Sequence, residues 1–444
     1  MKNIALAVEK HRGLILEAER YIWNNPEVGY KEFKTNEYMA RKFRELGYEL
    51  TMADGITGFY TVIDTGREGP EVMILGELDS IICPNHPESD KVTGAVHSCG
   101  HNAQCAALLG IAAALKEQGA LDGLSGRIRL CAVPAEELLE LEYRAELKKA
   151  GKIKYFGGKT EFLSRGYFDG VDIAFMVHTT SGDFYSVNDG HVGCITKSIT
   201  YKGKAAHAGG CPQNGINALY AANCGLNAVN ALRETFRECD RIRVHPIITA
   251  GGDMVNAIPE TVRLESYVRG TSFEGMIKEN RKVNRALIGA ALSLGANIEI
   301  NDFCGYAPND TCPALSLVAE EATAVTLPNE KFVINSGKSA GSTDMGDLSR
   351  IMPTIHPCAP GARGVAHGSD YYIIDPERAC VGSAKLQLGM LQLLLENGGE
   401  RAKEIIRNFK PSFSCAAEYL EFIGGISSGG ERITYTEDGA QIKL

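Results

Sequence analysis

Three short apolar runs limit what this chain can fold into: 71–76 (EVMILG), 127–133 (RIRLCAV) and 171–177 (VDIAFMV). Each reads as a strand, and helical patterns lie between them, an Ala/Leu-rich one over 103–116 among them. Short apolar strands separated by helices predict an α/β fold whose largely parallel sheet is buried under helices on both faces. The middle of the chain changes character. Residues 194–201 alternate as a half-exposed strand, and Ile216, Leu219, Leu226, Val229 and Phe236 mark one helical face. Strands follow at 242–249 and 261–268, then a helix marked by Phe273, Ile277, Leu287, Ile288 and Leu292, then a strand at 297–302. The order β-α-β-β-α-β is ferredoxin-like. We therefore expect a first domain in two parts, 1–187 and 305–444, interrupted by a compact α+β insertion at 188–304.

Several functions are poor fits. The formal net charge is −9, and no basic stripe exists to favour nucleic acid or an anionic membrane. No apolar run approaches the ~18 residues of a spanning helix. The first ten residues lack an apolar signal core, so secretion is not expected. Thirteen cysteines form no CxxC pair, and the odd count suits a reducing cytoplasm better than a disulfide framework.

The polar clusters follow the strands. Glu77-Leu78-Asp79 comes after the first, Pro134-Ala135-Glu136-Glu137 after the second, and His178 ends the third. In open α/β sheets the ligand crevice lies outside those strand ends. Any one cluster could merely cap a helix or solvate a loop. Three delivered to one sheet edge point to a site. His97-Ser-Cys99-Gly-His101-Asn102 adds a thiol and an imidazole two residues apart, a pair suited to zinc or a similar borderline metal. In the Glu136-Glu137 pair, one carboxylate can ligate metal while the other takes a proton from an activated water. His367, in a glycine-rich loop, can complete the ligand set. Gly425-Ile-Ser427-Ser-Gly429 resembles a nucleophile elbow, but no histidine follows His367 to serve it. Gly337-Lys338-Ser339 resembles a phosphate loop, but Phe332 stands where that loop needs glycine.

Taken in order, Gly76-Glu-Leu-Asp79, His97-Ser-Cys-Gly-His-Asn102, Pro134-Ala-Glu-Glu137, His178, Gly203-Lys-Ala-Ala-His207, Ser342-Thr-Asp-Met345 and His367 resemble a co-catalytic metallopeptidase family. That family includes carboxypeptidase G, hippurate hydrolase and the auxin-conjugate amidohydrolases. The Glu-x-Asp and Cys-Gly-His-Asn variants look most like its aminobenzoyl-glutamate hydrolase and dipeptidase branch. The resemblance implies two divalent metal ions, zinc first, with manganese, cobalt or nickel as alternatives. It implies Cys99, His101, Glu137, His178 and His367 as ligands, Glu136 as general base and Asp79 as orienter of a ligand. It implies an inserted lid that carries His207 to stabilise an oxyanion, and Asn256 and Arg269 to hold a substrate carboxylate. It also implies a homodimer through the lid, or a hetero-oligomer with a related chain. Asn102 and Gln104 depart from relatives that carry aspartate and a second histidine there, and the loop 83–96 differs from the short proline turn of relatives.

The leading expectation is an amidohydrolase that cleaves an N-acyl amino acid, an aminobenzoyl-glutamate-like conjugate or a dipeptide beside a free carboxylate. Two alternatives stay open: a cysteine hydrolase using Cys99 with His101 as base, and a non-catalytic or partner chain of the same fold.

Overall fold

Glu71–Glu77, Arg127–Val133 and Ile173–Phe175 lie side by side and parallel, and Thr354–Ile355 extends the sheet in the same sense. Phe59–Asp64 and Thr51–Met52 close the other edge antiparallel, giving a six-stranded sheet that is parallel through its centre. Glu71–Glu77 is buried at every residue, as expected of a central strand covered on both faces. The helix His101–Leu115 is likewise buried along its length and packs on that strand and on Arg12–Trp23. Beyond His101, Asn102 and Gln104 in its first turn the helix is apolar all round, which fits such an interior position.

This is a computed structural model that describes residues 2–444, and the chain divides into two compact units. The first comprises residues up to Gly190, Asn309–Ser339 and Thr343–Ala416. The second comprises His191–Pro308, Ala340–Ser342 and Ala417–Leu444.

In the second unit, Thr261–Gly270 and Asn297–Tyr306 flank Gly193–Lys202 antiparallel, and Arg243–Val244 and Ile247–Ala250 pair with Thr261–Gly270. Ala218–Ala231 and Phe273–Ser293 are its long helices, started by Asn217 and Ser272, whose side chains accept from backbone N–H groups of the first turn. The strand expected over 242–249 is split at His245 and Pro246, and proline has no N–H for the ladder.

One boundary needs correction. The sequence pattern puts all of 305–444 in the first domain, but Ala417–Leu444 belongs to the second unit. Asp302 and Ser428 exchange backbone hydrogen bonds of 2.7 and 3.0 Å, Ile300 N donates to Gly430 O, and Arg432 N donates to Ile298 O. The chain's own 428–432 stretch thus covers the outer edge of Asn297–Tyr306, an edge whose open N–H and C=O groups otherwise invite pairing.

Candidate active site

The sheet register sets the site. Glu77 stands opposite Val133, and Leu78 N donates to Val133 O at 3.0 Å. The segments Glu77–Asp79 and Pro134–Glu137 therefore leave the sheet together. The chain after Ile173–Phe175 enters a smaller sheet, where His178–Thr180 runs parallel to Cys358–Pro360. Gly100 has φ +90°, and a Cβ there would strike Thr179 Oγ1 and the Tyr371 hydroxyl, so only glycine lets the Cys99 loop turn into the helix that begins at His101.

Five side chains expected as ligands come together in the first unit. The ligand atoms of Cys99, His101 and His178 lie within 4.8 Å of one another, as do those of Cys99, Glu137 and His367. Cys99 is common to both groups. Its Sγ is 3.4 Å from His178 Nε2, and Glu137 Oε1 is 2.9 Å from His367 Nε2. His101 Nδ1 lies 3.2 Å from Asp79 Oδ1 and 3.0 Å from Asp79 O, while Asp79 Oδ2 accepts from Glu137 N at 2.8 Å. Asp79 thus braces two of the five at once. Two residues at the site, Ala135 (φ +54°) and His367 (φ +66°), adopt the left-handed conformation that non-glycine residues rarely take. Both are tied down: Ala135 N donates to Glu32 Oε1 and His367 N to Ser98 O, each at 2.8 Å. The buried Arg144 donates to Glu137 O and, at 2.6 Å, to Phe156 O.

The donor set suits a pair of borderline divalent ions. It offers one thiol, three imidazoles and carboxylates, largely out of water. Asp79 holds His101 by Nδ1, and Thr179 O lies 2.8 Å from His178 Nδ1, so both rings present Nε2 to the cluster.

Charge is distributed unevenly. Burial and Glu137 raise the Cys99 thiol, but His101 and His178 outweigh them and bring it down to about 6. Burial opposes ionisation of Glu137, yet His367 and His101 hold it down to about 2. Glu136, one residue away, is pushed well above the carboxylate range by burial and by Glu77, Glu137 and Asp344. Glu137 and Cys99 raise His367 to about 11 against its burial.

The layer behind these groups adds residues that no motif marks. Lys159, fully buried, sits 2.5 Å from Glu77 Oε1 and also contacts Asp344 Oδ1. Glu77 Oε2 lies 3.2 Å from His101 Nε2 and accepts from Gln104 Nε2 at 2.9 Å. Gln104, the departure from the motif, is therefore a partner of Glu77. Asn102 donates to the buried Glu19 at 2.8 Å, and neither change disturbs the ligand groups. His356, which no motif marks, has its ring 5.7 Å from that of His178. Glu77 and Asp344 stand within the quoted motifs; the Gly157-Gly158-Lys159 stretch gives no signal. The unusual 83–96 loop is a hairpin whose ends, Ile81–Ile82 and Ala95–Val96, pair with each other.

His207, Asn256 and Arg269 lie in the second unit. His207 Nδ1 accepts from Gly210 N at 2.9 Å and lies 3.2 Å from Gly209 N, which puts the proton of the neutral ring on Nε2. Ala208 N donates to Asn256 O at 2.9 Å, so the two loops adjoin. Arg269 Nη1 donates to Ser342 Oγ at 3.1 Å, while its Nε is buried without a partner.

Known proteins resemble this chain in sequence and in fold. The human Xaa-Arg dipeptidase is 28% identical over 372 residues, covering 79% of this chain and 78% of its own. A chain of the Escherichia coli p-aminobenzoyl-glutamate hydrolase is 28% identical over 318 residues, covering 69% of this chain and 61% of its own. A dinuclear metal-binding peptidase from Bacillus subtilis superposes with a TM-score of 0.63 at 20% identity, over 87% of this chain and 99% of that one. Peptidase family M20/M25/M40 matches residues 73–392. The chain belongs to that family and is a metal-dependent amide or peptide hydrolase.

Proposed function

We propose that this chain hydrolyses the amide bond of a small substrate with a free carboxylate: an N-acyl amino acid, an aminobenzoyl-glutamate-like conjugate or a dipeptide. The observation that supports this most is the convergence of Cys99, His101, Glu137, His178 and His367 with Glu136 beside them. His101 and His178 would hold one divalent ion and Glu137 and His367 a second, with Cys99 shared. Zinc is the first expectation, and manganese, cobalt and nickel are its competitors. Bound divalent ions would polarise the scissile carbonyl and acidify water.

The chain's own groups do the rest. Glu136 takes the proton of the attacking water and passes it to the leaving nitrogen. His207, protonated on Nε2, donates to the oxyanion, and Arg269 and Asn256 hold the substrate carboxylate. The second unit would serve as a lid and as the surface for a second copy. Its remaining open edge, Ile247–Ala250, carries the exposed Ile247 and Ile248. A related chain could take that place in a hetero-oligomer. A reducing cytoplasm suits the thirteen free cysteines. Among the described residues, no helix is long and apolar enough to cross a membrane.

The test is a panel of N-acyl amino acids, aminobenzoyl-glutamate and dipeptides, assayed before and after chelation and metal reloading. Turnover that needs both a metal ion and a substrate carboxylate supports the proposal. Turnover indifferent to the carboxylate refutes the substrate class, and no turnover across the panel favours a non-catalytic member of the fold.

A further inference from the structure

In the second unit, the row of the central strand that holds Ile195, Ile199 and Tyr201 in the core also holds Lys197. Lys197 is fully buried. Its ammonium contacts Asp302 and lies 2.8 Å from Asn280 Oδ1, while Asp302 Oδ2 accepts from Asn280 at 2.9 Å and Asn284 at 2.7 Å. Asp302 is therefore fully engaged. Arg432, only 4% exposed, is brought against the same network by the returning 428–432 stretch. It donates Nη2 to Ile300 O and Ser428 Oγ, but its Nε is buried without a partner, as is Asn284 Oδ1. Among the described residues no carboxylate forms an ion pair with Arg432. A buried cation beside an already neutralised Lys–Asp pair lacks its counter-charge, and that is costly unless an anion supplies it.

This network opens into a cavity of about 840 Å³. Arg281, Arg285, Arg432 and Lys443 line it, facing Asp302, Glu421 and Leu444 with its terminal carboxylate, and Asp302 is already taken up by Lys197. Its apolar wall includes Ile277, Phe422 and Ile426. We propose that this cavity binds a small organic oxyanion, a carboxylate or phosphate seated on Arg432, Arg281 and Arg285, with an apolar tail against Ile277, Phe422 and Ile426. Arginine forks match both oxyanions bidentately, and the volume suits a small ligand. None of the residues that line the cavity belongs to the proposed reaction, and the inference does not depend on that reading.

Calorimetric titration of the metal-loaded full chain tests it with three probes: octanoate for the whole site, inorganic phosphate for its cationic part, and octylamine for reversed charge. Octanoate should saturate, phosphate should bind more weakly, and octylamine should not bind. Arg281 and Arg285 are exposed, so R281Q/R285Q should melt like the parent while weakening octanoate at least about tenfold. No saturation by octanoate up to about 10 mM would overturn the proposal. So would octylamine binding as tightly as octanoate, or octanoate affinity unchanged in R281Q/R285Q, which would place the binding elsewhere.

Discussion

Replacing Lys159 by methionine probes the part of the site that no motif announces. Methionine keeps most of the stem and removes the charge. Glu77 and Asp344, 1% and 0% exposed, would then be two buried carboxylates without their cation. Removing one partner of a buried ion pair costs about 3–5 kcal/mol. Asp344 limits the loss: burial and Glu77 already raise it to about 6 against the pull of Lys159, so it takes up a proton first. We therefore expect the lower end, about 3 kcal/mol, and a melting temperature lower by roughly 5–12 °C. The pH dependence has a definite sign. A carboxyl whose folded pKa is raised binds its proton more tightly in the folded state, so stability falls as pH rises through that window. K159M moves the window above 6, and the variant should regain stability as pH drops from about 8 to about 6. Scanning calorimetry of K159M, D344N and the double variant decides the matter. The double variant should recover part of the loss, because one of the two uncompensated carboxylates is gone and Glu77 keeps His101 at 3.2 Å. A loss under about 1 kcal/mol in K159M, or a double variant as unstable as K159M, would refute the reasoning.

Three other outcomes are expected. Glu136→Gln should retain metal and fold yet lose about 10²–10⁴-fold in kcat, and activity within about threefold of the parent would give the proton transfer to another group. In metal-free protein, Cys99 should be alkylated by iodoacetamide with a midpoint near pH 6 rather than 9, the thiolate being lost below that pH, and metal should protect it. If chelation instead spares activity while alkylation abolishes it, Cys99 with His178 at 3.4 Å becomes the nucleophilic pair and the metal reading fails. Ile247→Asp, on the open sheet edge, should convert a sedimenting dimer to monomer; a parent chain that is monomeric at micromolar concentration and fully active would remove the dimer from the proposal.

What the sequence reveals, and what it hides, has a physical pattern. Apolar runs such as EVMILG are legible because the middle of a strand buried on both faces has little room for polar residues, and the groups at its end are then conspicuous. Glu77–Asp79, Glu136-Glu137 and His178 stand out that way. Lys159 does not, because nothing in Gly-Gly-Lys-Thr shows that tertiary packing will bury an ammonium between Glu77 and Asp344, 82 and 185 residues distant. The return of 428–432 to the second unit is hidden for a related reason: Gly429, Gly430 and the serines before them read as a turn, and their pairing with 298–302 is a long-range backbone event without side-chain periodicity. Asn102 and Gln104 are visible as departures, but only their partners Glu19 and Glu77 show what the amides do.

Glu136 and Glu137 bring these layers together, because adjacent glutamates of identical chemistry end with opposite affinities for a proton. The left-handed turn at Ala135 and the hydrogen bond from Glu137 N to Asp79 fix the backbone between them. Glu137 is aimed at His367, and the imidazoles of His367 and His101 keep it ionised down to about 2. Glu136 is grouped instead with Glu77 and His101 and feels Glu77, Glu137 and Asp344, so burial and repulsion hold its proton well above the carboxylate range. Carboxylates whose environments drive their proton affinities apart are the usual mark of divided roles, one standing as a fixed anion and the other able to take and return a proton. Lys159 limits that repulsion by neutralising Glu77, which ties the K159M experiment to the reaction as well as to the fold. With the ammonium gone, Glu77 and Asp344 would repel Glu136 more strongly, and the acid limb of the kcat/KM profile should move to higher pH. A limb unmoved in K159M would mean that the proton-transferring group lies outside the reach of this buried triad.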